Sequence, residues 1–278
     1  MSILPDLIGH MLDLDRALMA ALPHAAARQL ADGQTYAELA TEAAMNAALI
    51  GPLGSLYRYP FRGGLSAVPN TTSRDELAAW LLTHYGDAAS AADLRAVLPP
   101  WYVRAYDVGG GLGLVELGVG GVFTLRDAGI RARIADYVAG MTTIGGYHSL
   151  VDTTINDLTV FLSNARAAVT SDSDLGGLLG QYINGRTTAR AGLIAIDQTV
   201  RWVNTALRDV YGRNAVTYEI YQTRPELSET GPCLICQPYH GLSFPVGSGP
   251  NLPQHGRCVC VYVPDLREWT APEEIWRG

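Results

Sequence analysis

No lysine occurs in the 278 residues, and all 20 basic side chains of the Lys/Arg type are arginine. The chain therefore has neither a Schiff-base lysine nor a P-loop lysine. With a formal net charge of −7 it also offers no lysine-rich tail or stripe with which to coat nucleic acid. Codon bias accounts for the missing lysine at least as well as selection does. Cysteine is scarce and confined, since Cys233, Cys236, Cys258 and Cys260 are the only four. A disulfide framework would spread its bridges along a chain of this size, so the clustering favours a metal. A basic leader is missing as well: Met1 to Asp6 carries no cationic side chain, and Asp6, Asp13 and Asp15 interrupt the apolar residues, so no secretory signal is expected. Long apolar runs are also lacking. The most apolar stretch, Val108 to Phe123, is broken by Glu116, is rich in glycine and is shorter than the roughly 20 residues of a spanning helix, so no membrane segment is expected.

What is present is a chain with 48% apolar residues, enough to bury one large core or two smaller ones. Leu7, Met11, Leu14, Leu18 and Ala21 form the seam of an amphipathic helix over residues 4–21. A second helix is predicted from Thr35 to Ile50, stopping at Gly51-Pro52. Ser73-Arg74-Asp75-Glu76 has the form of a capping box ahead of Leu77, Trp80 and Leu81. Pro99-Pro100 is expected to end the helical run over Ala92 to Val97. Val108 to Phe123 reads as an irregular hairpin or packed loop. Its Gly111-Leu112-Gly113 meets Glu116 where a dinucleotide fingerprint needs a third glycine. Asp127 to Gly140 reads as a helix burying Ile130, Ile134, Tyr137 and Met141.

The clearest periodicity follows. Val151, Ile155, Leu158, Leu162, Ala165 and Val169 repeat at four and three, a short helix is predicted from Leu175 to Ile183, and Leu193, Ile196, Val200, Val203, Leu207 and Val210 repeat at three and four. Two such seams can pack antiparallel as a long helical hairpin. After Tyr211-Gly212 the texture changes to a strand-like alternation over Val216 to Tyr221 and then to Pro, Gly and Cys. The expected class is α+β: a mainly helical region over residues 1–144, a helical hairpin arm over 145–212, and a small strand-and-loop module over 213–278.

Chemistry concentrates in that module. Cys233-Leu234-Ile235-Cys236 is a CxxC knuckle, and His255-Gly256-Arg257-Cys258-Val259-Cys260 supplies further donors. Zinc prefers four nitrogen or sulfur ligands in a tetrahedron, and two knuckles joined by a loop can make one. Five candidates compete for four positions: Cys233, Cys236, His255 and Cys258 rank first, slightly ahead of the four cysteines with His255 outside the shell. His240 reads as a surface histidine. Zinc is preferred over a pair of disulfides. Pro232-Cys233-x-x-Cys236 resembles half of a zinc-deaminase signature, but no upstream histidine is followed by the required glutamate. A redox CxxC would leave the second knuckle unexplained. Four protein ligands leave no position for water, so the zinc would be structural, replacing the core that a module this small lacks. No nucleophile elbow or His-Glu-x-x-His occurs, and an enzyme is not expected.

The order Arg190-Ala191-Gly192-Leu193-Ile194-Ala195 opening a helix, the strand Tyr218 to Thr223, Cys233-x-x-Cys236, Gly241-Leu242-Ser243-Phe244 and Pro253-Gln254-His255-Gly256-Arg257-Cys258-Val259-Cys260 resembles the phage Mu F-like minor head protein (head morphogenesis) family over about residues 145 to 264. Asp197-Gln198, Tyr221, Gly256 and Val259 depart from that pattern, while all the metal-ligand candidates are retained. The resemblance implies a non-enzymatic minor capsid protein of a tailed phage or prophage. Such a protein would lie inside the virion head, and in the host cytoplasm during assembly. Its expected partners are the portal and other capsid or scaffold proteins, with packaged DNA a further candidate, and neither a membrane nor a small-molecule substrate. Two other classes compete: an effector or toxin enzyme carried by such a domain, and a zinc-ribbon nucleic-acid-binding module using Arg201, Arg208, Arg213 and Arg257.

Overall fold

A computed structural model of the chain describes residues 31–86, 88–119, 121–169, 171–224 and 233–278. The amphipathic segment read at 4–21 lies outside the described residues. The architecture is mainly helical α+β. Among the described residues six α-helices, α1 (Ala31–Arg58), α2 (Arg74–Tyr85), α3 (Ala92–Glu116), α4 (Ala128–Met141), α5 (Leu150–Ala168) and α6 (Asp172–Arg213), precede the strands β1 (Tyr218–Gln222), β2 (Ser243–Pro245) and β3 (Val261–Asp265). Among the described residues no helix is long and apolar enough to cross a membrane.

The chain forms two compact units. Among the described residues, one gathers those within 31–44, 101–131 and 193–278, the other those within 45–100 and 132–192.

In the second unit, α1 does not stop at Gly51-Pro52 as its sequence predicts. Leu49, Leu53, Leu56 and Tyr57 are all fully buried, so the apolar face runs on through Pro52, and burying it outweighs the backbone bond that proline cannot make. Ser73 caps α2 by accepting the Glu76 N–H at 3.4 Å, but the reciprocal half of the capping box is absent: the Ser73 N–H goes to Thr71 Oγ1 at 3.0 Å. Helices α5 and α6 run antiparallel, but the contacts join α5 to residues 182–190 of α6, ahead of the seam from Leu193 to Val210 that the periodicity paired with it. Tyr182 Oη donates to the Asp157 carbonyl, Arg186 meets the Asp157 carboxylate, and Arg190 reaches Thr154 and the Leu150 carbonyl, so partners descend α5 as they ascend α6.

At the centre of this hairpin lies a buried polar network. Asp157 accepts from Tyr57 Oη at 2.7 Å and from Arg186 at 2.8 and 2.9 Å, while Arg190 binds Tyr57 Oη at 3.0 Å and Thr154 Oγ1 at 2.6 Å. Burial opposes ionisation of Asp157, but the bonds from Arg186 and Tyr57 prevail and hold its carboxyl below the ordinary range.

Two predicted breaks elsewhere are likewise absent. Helix α3 continues through Pro99-Pro100 to Glu116, so most of the stretch read as an irregular loop is helical. In the first unit the glycines of this helix serve close packing: a β-carbon on Gly109 would overlap the Val203 carbonyl, and one on Gly113 would lie 2.9 Å from Val210 Cγ1. Residues four apart share a helix face, so α3 lays a glycine groove against α6. The short helix read at Leu175–Ile183 and the later seam are one helix of 42 residues, about 63 Å long, because its glycines are tolerated within a continuous packed face.

Candidate metal centre

The three strands form an antiparallel sheet in the order β2-β1-β3. On β1, Glu219 and Tyr221 point inward and are fully buried. The register sets Tyr221 opposite Tyr262 and Gln222 opposite Val261, which delivers the end of β1 to the point where Cys260 enters β3. The chain after the first knuckle returns to the same place: the Gly241 N–H donates to the Tyr221 carbonyl at 2.8 Å, and the Tyr221 N–H donates to the Leu242 carbonyl at 3.0 Å.

The first knuckle is a tight turn around Cys233. Its carbonyl accepts the N–H groups of Cys236 and Gln237 at 3.1 and 2.8 Å, and its sulfur accepts the Ile235 N–H at 3.3 Å. Turn bonds of this kind aim both sulfurs to one side and leave Leu234 and Ile235 exposed at the tip. The second knuckle turns at Arg257, which adopts the left-handed conformation with φ 62°, and closes with the Cys258 N–H donating to the His255 carbonyl at 3.2 Å.

All five sequence candidates come together. Cys233, Cys236 and His255 form one group whose donor atoms lie within 4.8 Å of one another; Cys236, Cys258 and Cys260 form a second, and Cys236 belongs to both. Cys236 Sγ lies 3.3 Å from His255 Nε2 and 3.9 Å from Cys258 Sγ. A tetrahedron with metal–sulfur bonds near 2.3 Å and metal–nitrogen bonds near 2.0 Å has edges of about 3.8 Å between sulfurs and about 3.5 Å between sulfur and nitrogen. Two donor pairs, Cys236 with His255 and Cys236 with Cys258, stand close to tetrahedral-edge spacing, while the five donors fall into two triads and no four of them form one group. All four cysteines are free thiols, and 3.9 Å is far beyond a disulfide bond.

His255 is oriented in the way a ligand requires. Its Nδ1 faces the Gly256 carbonyl at 2.9 Å, so the proton belongs there and Nε2 presents its lone pair to the sulfurs. His240 stays apart, exposed, its Nδ1 accepting the Thr223 N–H at 3.1 Å.

Around the donors, Tyr221, Leu252 and Tyr262 complete a buried cluster with Cys236, Cys258 and Cys260, against which Val200 and Phe244 pack. The sulfurs are electrostatically distinct. A hydrogen bond from Cys260, helped by backbone N–H groups, outweighs burial and lowers Cys258 to about 5. Burial pushes Cys236 up to about 11, against the Tyr221 hydroxyl bond, while the Cys258 hydrogen bond and burial push Cys260 up. A divalent cation would convert the thiols that bind it to thiolate ligands with release of protons. The cluster can hold a metal ion.

Several residues that build this site were not assigned to it from the sequence. Asp197, Asn204, Arg208 and Tyr211 lie on one face of α6. Asp197 accepts the Arg257 N–H, Asn204 binds the backbone on both sides of Val261, Arg208 pairs with Glu219, and Tyr211 Oη donates to the Tyr262 carbonyl. The signal was a polar stripe at three- and four-residue spacing beside the apolar seam, which reads as solvated surface until a partner is known.

No family model, curated protein or solved structure matches the chain.

Proposed function

We propose that this cluster is a structural zinc centre, and that the chain is a non-enzymatic minor head protein of a tailed phage or prophage which associates with the portal during assembly. The observation that carries the zinc reading is the placement of His255 Nε2 and Cys258 Sγ around buried Cys236 at tetrahedral-edge distances. Zinc supplies four strong bonds in place of a core. The sheet strands span only five, three and five residues, so cross-linking the loops between them contributes much of the module's stability.

The head-protein reading rests on the order of sequence elements from Arg190 to Cys260, and the fold is compatible with it: a 42-residue helix leads directly into the Cys/His module. The nucleic-acid alternative loses support because two of its arginines are already paired within the chain, Arg208 in the interior and Arg213 at the surface. Arg208 is bound to buried Glu219, and Arg213 pairs with Asp127 at 2.9 Å and lies over the Trp276 ring.

The test has two arms. Metal analysis of the reduced protein is expected to find about one zinc per chain. Mixing with portal protein, set beside DNA binding over a range of salt, is expected to give a stable portal complex and only weak, salt-sensitive DNA retention. DNA binding without portal association would overturn the head-protein reading.

A further inference from the structure

The second knuckle is positioned by helix α6 as well as by its own turn. Asp197 Oδ1 accepts the N–H of Arg257, the left-handed residue between His255 and Cys258, at 2.8 Å. Two helical turns on, Asn204 Nδ2 donates to the Cys260 carbonyl at 3.2 Å and Asn204 Oδ1 accepts the Tyr262 N–H at 2.9 Å. The amide thereby does what a neighbouring strand would do on the outer side of β3, and Asn204 is 4% exposed. Val200 stands between Asp197 and Asn204 on the same helix face and packs on the sulfur cluster. The backbone that aims His255, Cys258 and Cys260 is therefore tied to two side chains that are not among the five donors.

We infer that Asp197 and Asn204 are positioning residues of the metal centre, holding the second knuckle in its ligating conformation before the ion arrives. This rests on the metal-binding reading above. A knuckle free of the helix would have to be ordered by the metal itself, and that conformational entropy would subtract from the affinity. Partners outside the ligand shell commonly change metal affinity by about 10- to 100-fold. Because the coupling is reciprocal, occupancy of the centre strengthens docking of the module on α6 by the same factor.

Cobalt(II) is the probe, titrated into the full chain under reducing conditions in competition with a chromophoric chelator. Its sulfur-to-cobalt absorption reports the ligand set independently of affinity. Asp197→Ala and Asn204→Ala are expected to weaken cobalt binding about 10- to 100-fold with an unchanged spectrum at saturation. Asp197→Asn, whose amide oxygen can still accept the Arg257 N–H, is expected to stay within a few-fold of wild type. Asn214→Ala is the control: Asn214, the residue after α6, makes the same kind of paired bond to the Trp276 backbone, at 2.8 and 3.3 Å, and bonds none of the five donors or their backbone. It is expected to lower thermal stability and leave affinity unchanged. Should Asn204→Ala not fold, Asn204→Asp carries the same test, since it keeps the acceptor and loses the donor to Cys260. Wild-type affinity in the Asp197 and Asn204 variants, or equal weakening in Asn214→Ala, overturns the inference and leaves the metal centre standing. No cobalt bound by wild type removes both.

Discussion

Glu219, with none of its side chain exposed, meets Arg208 through paired hydrogen bonds of 2.6 and 3.1 Å, and the same guanidinium lies 3.9 Å from the centre of the Tyr262 ring. Burial pushes the Glu219 carboxyl up and Arg208 pulls it back, so the pair joins α6 to β1 only while both partners remain. Arg208→Met leaves the carboxylate buried without its partner. The expected loss is about 3–5 kcal/mol, measured by denaturant unfolding. Arg208→Met combined with Glu219→Leu is expected to recover most of it, and a double variant no better than the single one would show that the pair is not the source.

The glycine groove of α3 gives opposite signs at neighbouring positions. Gly109→Ala and Gly113→Ala intrude on Val203 and Val210 and are expected to destabilise by about 1–3 kcal/mol despite alanine's better helix propensity. Gly111, with nothing within 4 Å of its would-be β-carbon, is expected to gain about 0.5–1 kcal/mol as alanine. Thermal melts of the three variants check this, and equal shifts at all three positions would rule out the groove.

The Asp157 network makes the second unit acid-sensitive. Its folded carboxyl lies below the ordinary range, so the stabilisation is present above the unfolded value of about 4 and is lost as pH falls through the lower folded value. Hydrogen exchange in α5, followed from neutral pH into that acid range, is expected to show loss of protection. In Asp157→Asn the protection is expected to be lower at neutral pH and flatter below pH 4 or so. An identical acid profile in the two proteins would place the sensitivity elsewhere.

Cys236 is the donor common to both triads, so Cys236→Ser is expected to abolish metal binding, whereas losing a donor from one triad leaves the other intact. Chelation of the wild type should lower the thermal stability of the module and reproduce the Cys236→Ser melt. Metal content and melting curves measured together test this. Full metal occupancy in Cys236→Ser would exclude the shared-sulfur geometry.

The five candidate donors stood out in the sequence because cysteine and histidine are rare here and their spacing carries the chemistry, and the fold gathers them into one cluster. The helices over 128–141, 150–168 and 193–213 were legible because the apolar period within each is unbroken. The errors share one cause. Pro52, Pro99-Pro100 and the glycines from Gly109 to Gly113 are local breakers, and local preference amounts to about 1–3 kcal/mol per residue, less than a continuous buried face contributes. Gly109 was needed as a glycine, though for contact with Val203 and not for a turn.

The sequence by itself determined which residues can ligate a metal, that they lie in two knuckles, and that amphipathic helices precede them, since these follow from residue chemistry and short-range periodicity. Only the tertiary structure decided that Cys236 is shared, that His255 turns Nε2 to the sulfurs, and that Asp197, Asn204 and Arg208 face the module and not water. A polar residue on a helix carries no mark of what will pack against it; its role is set by partners up to 60 residues away, and only the folded chain brings them within hydrogen-bonding distance.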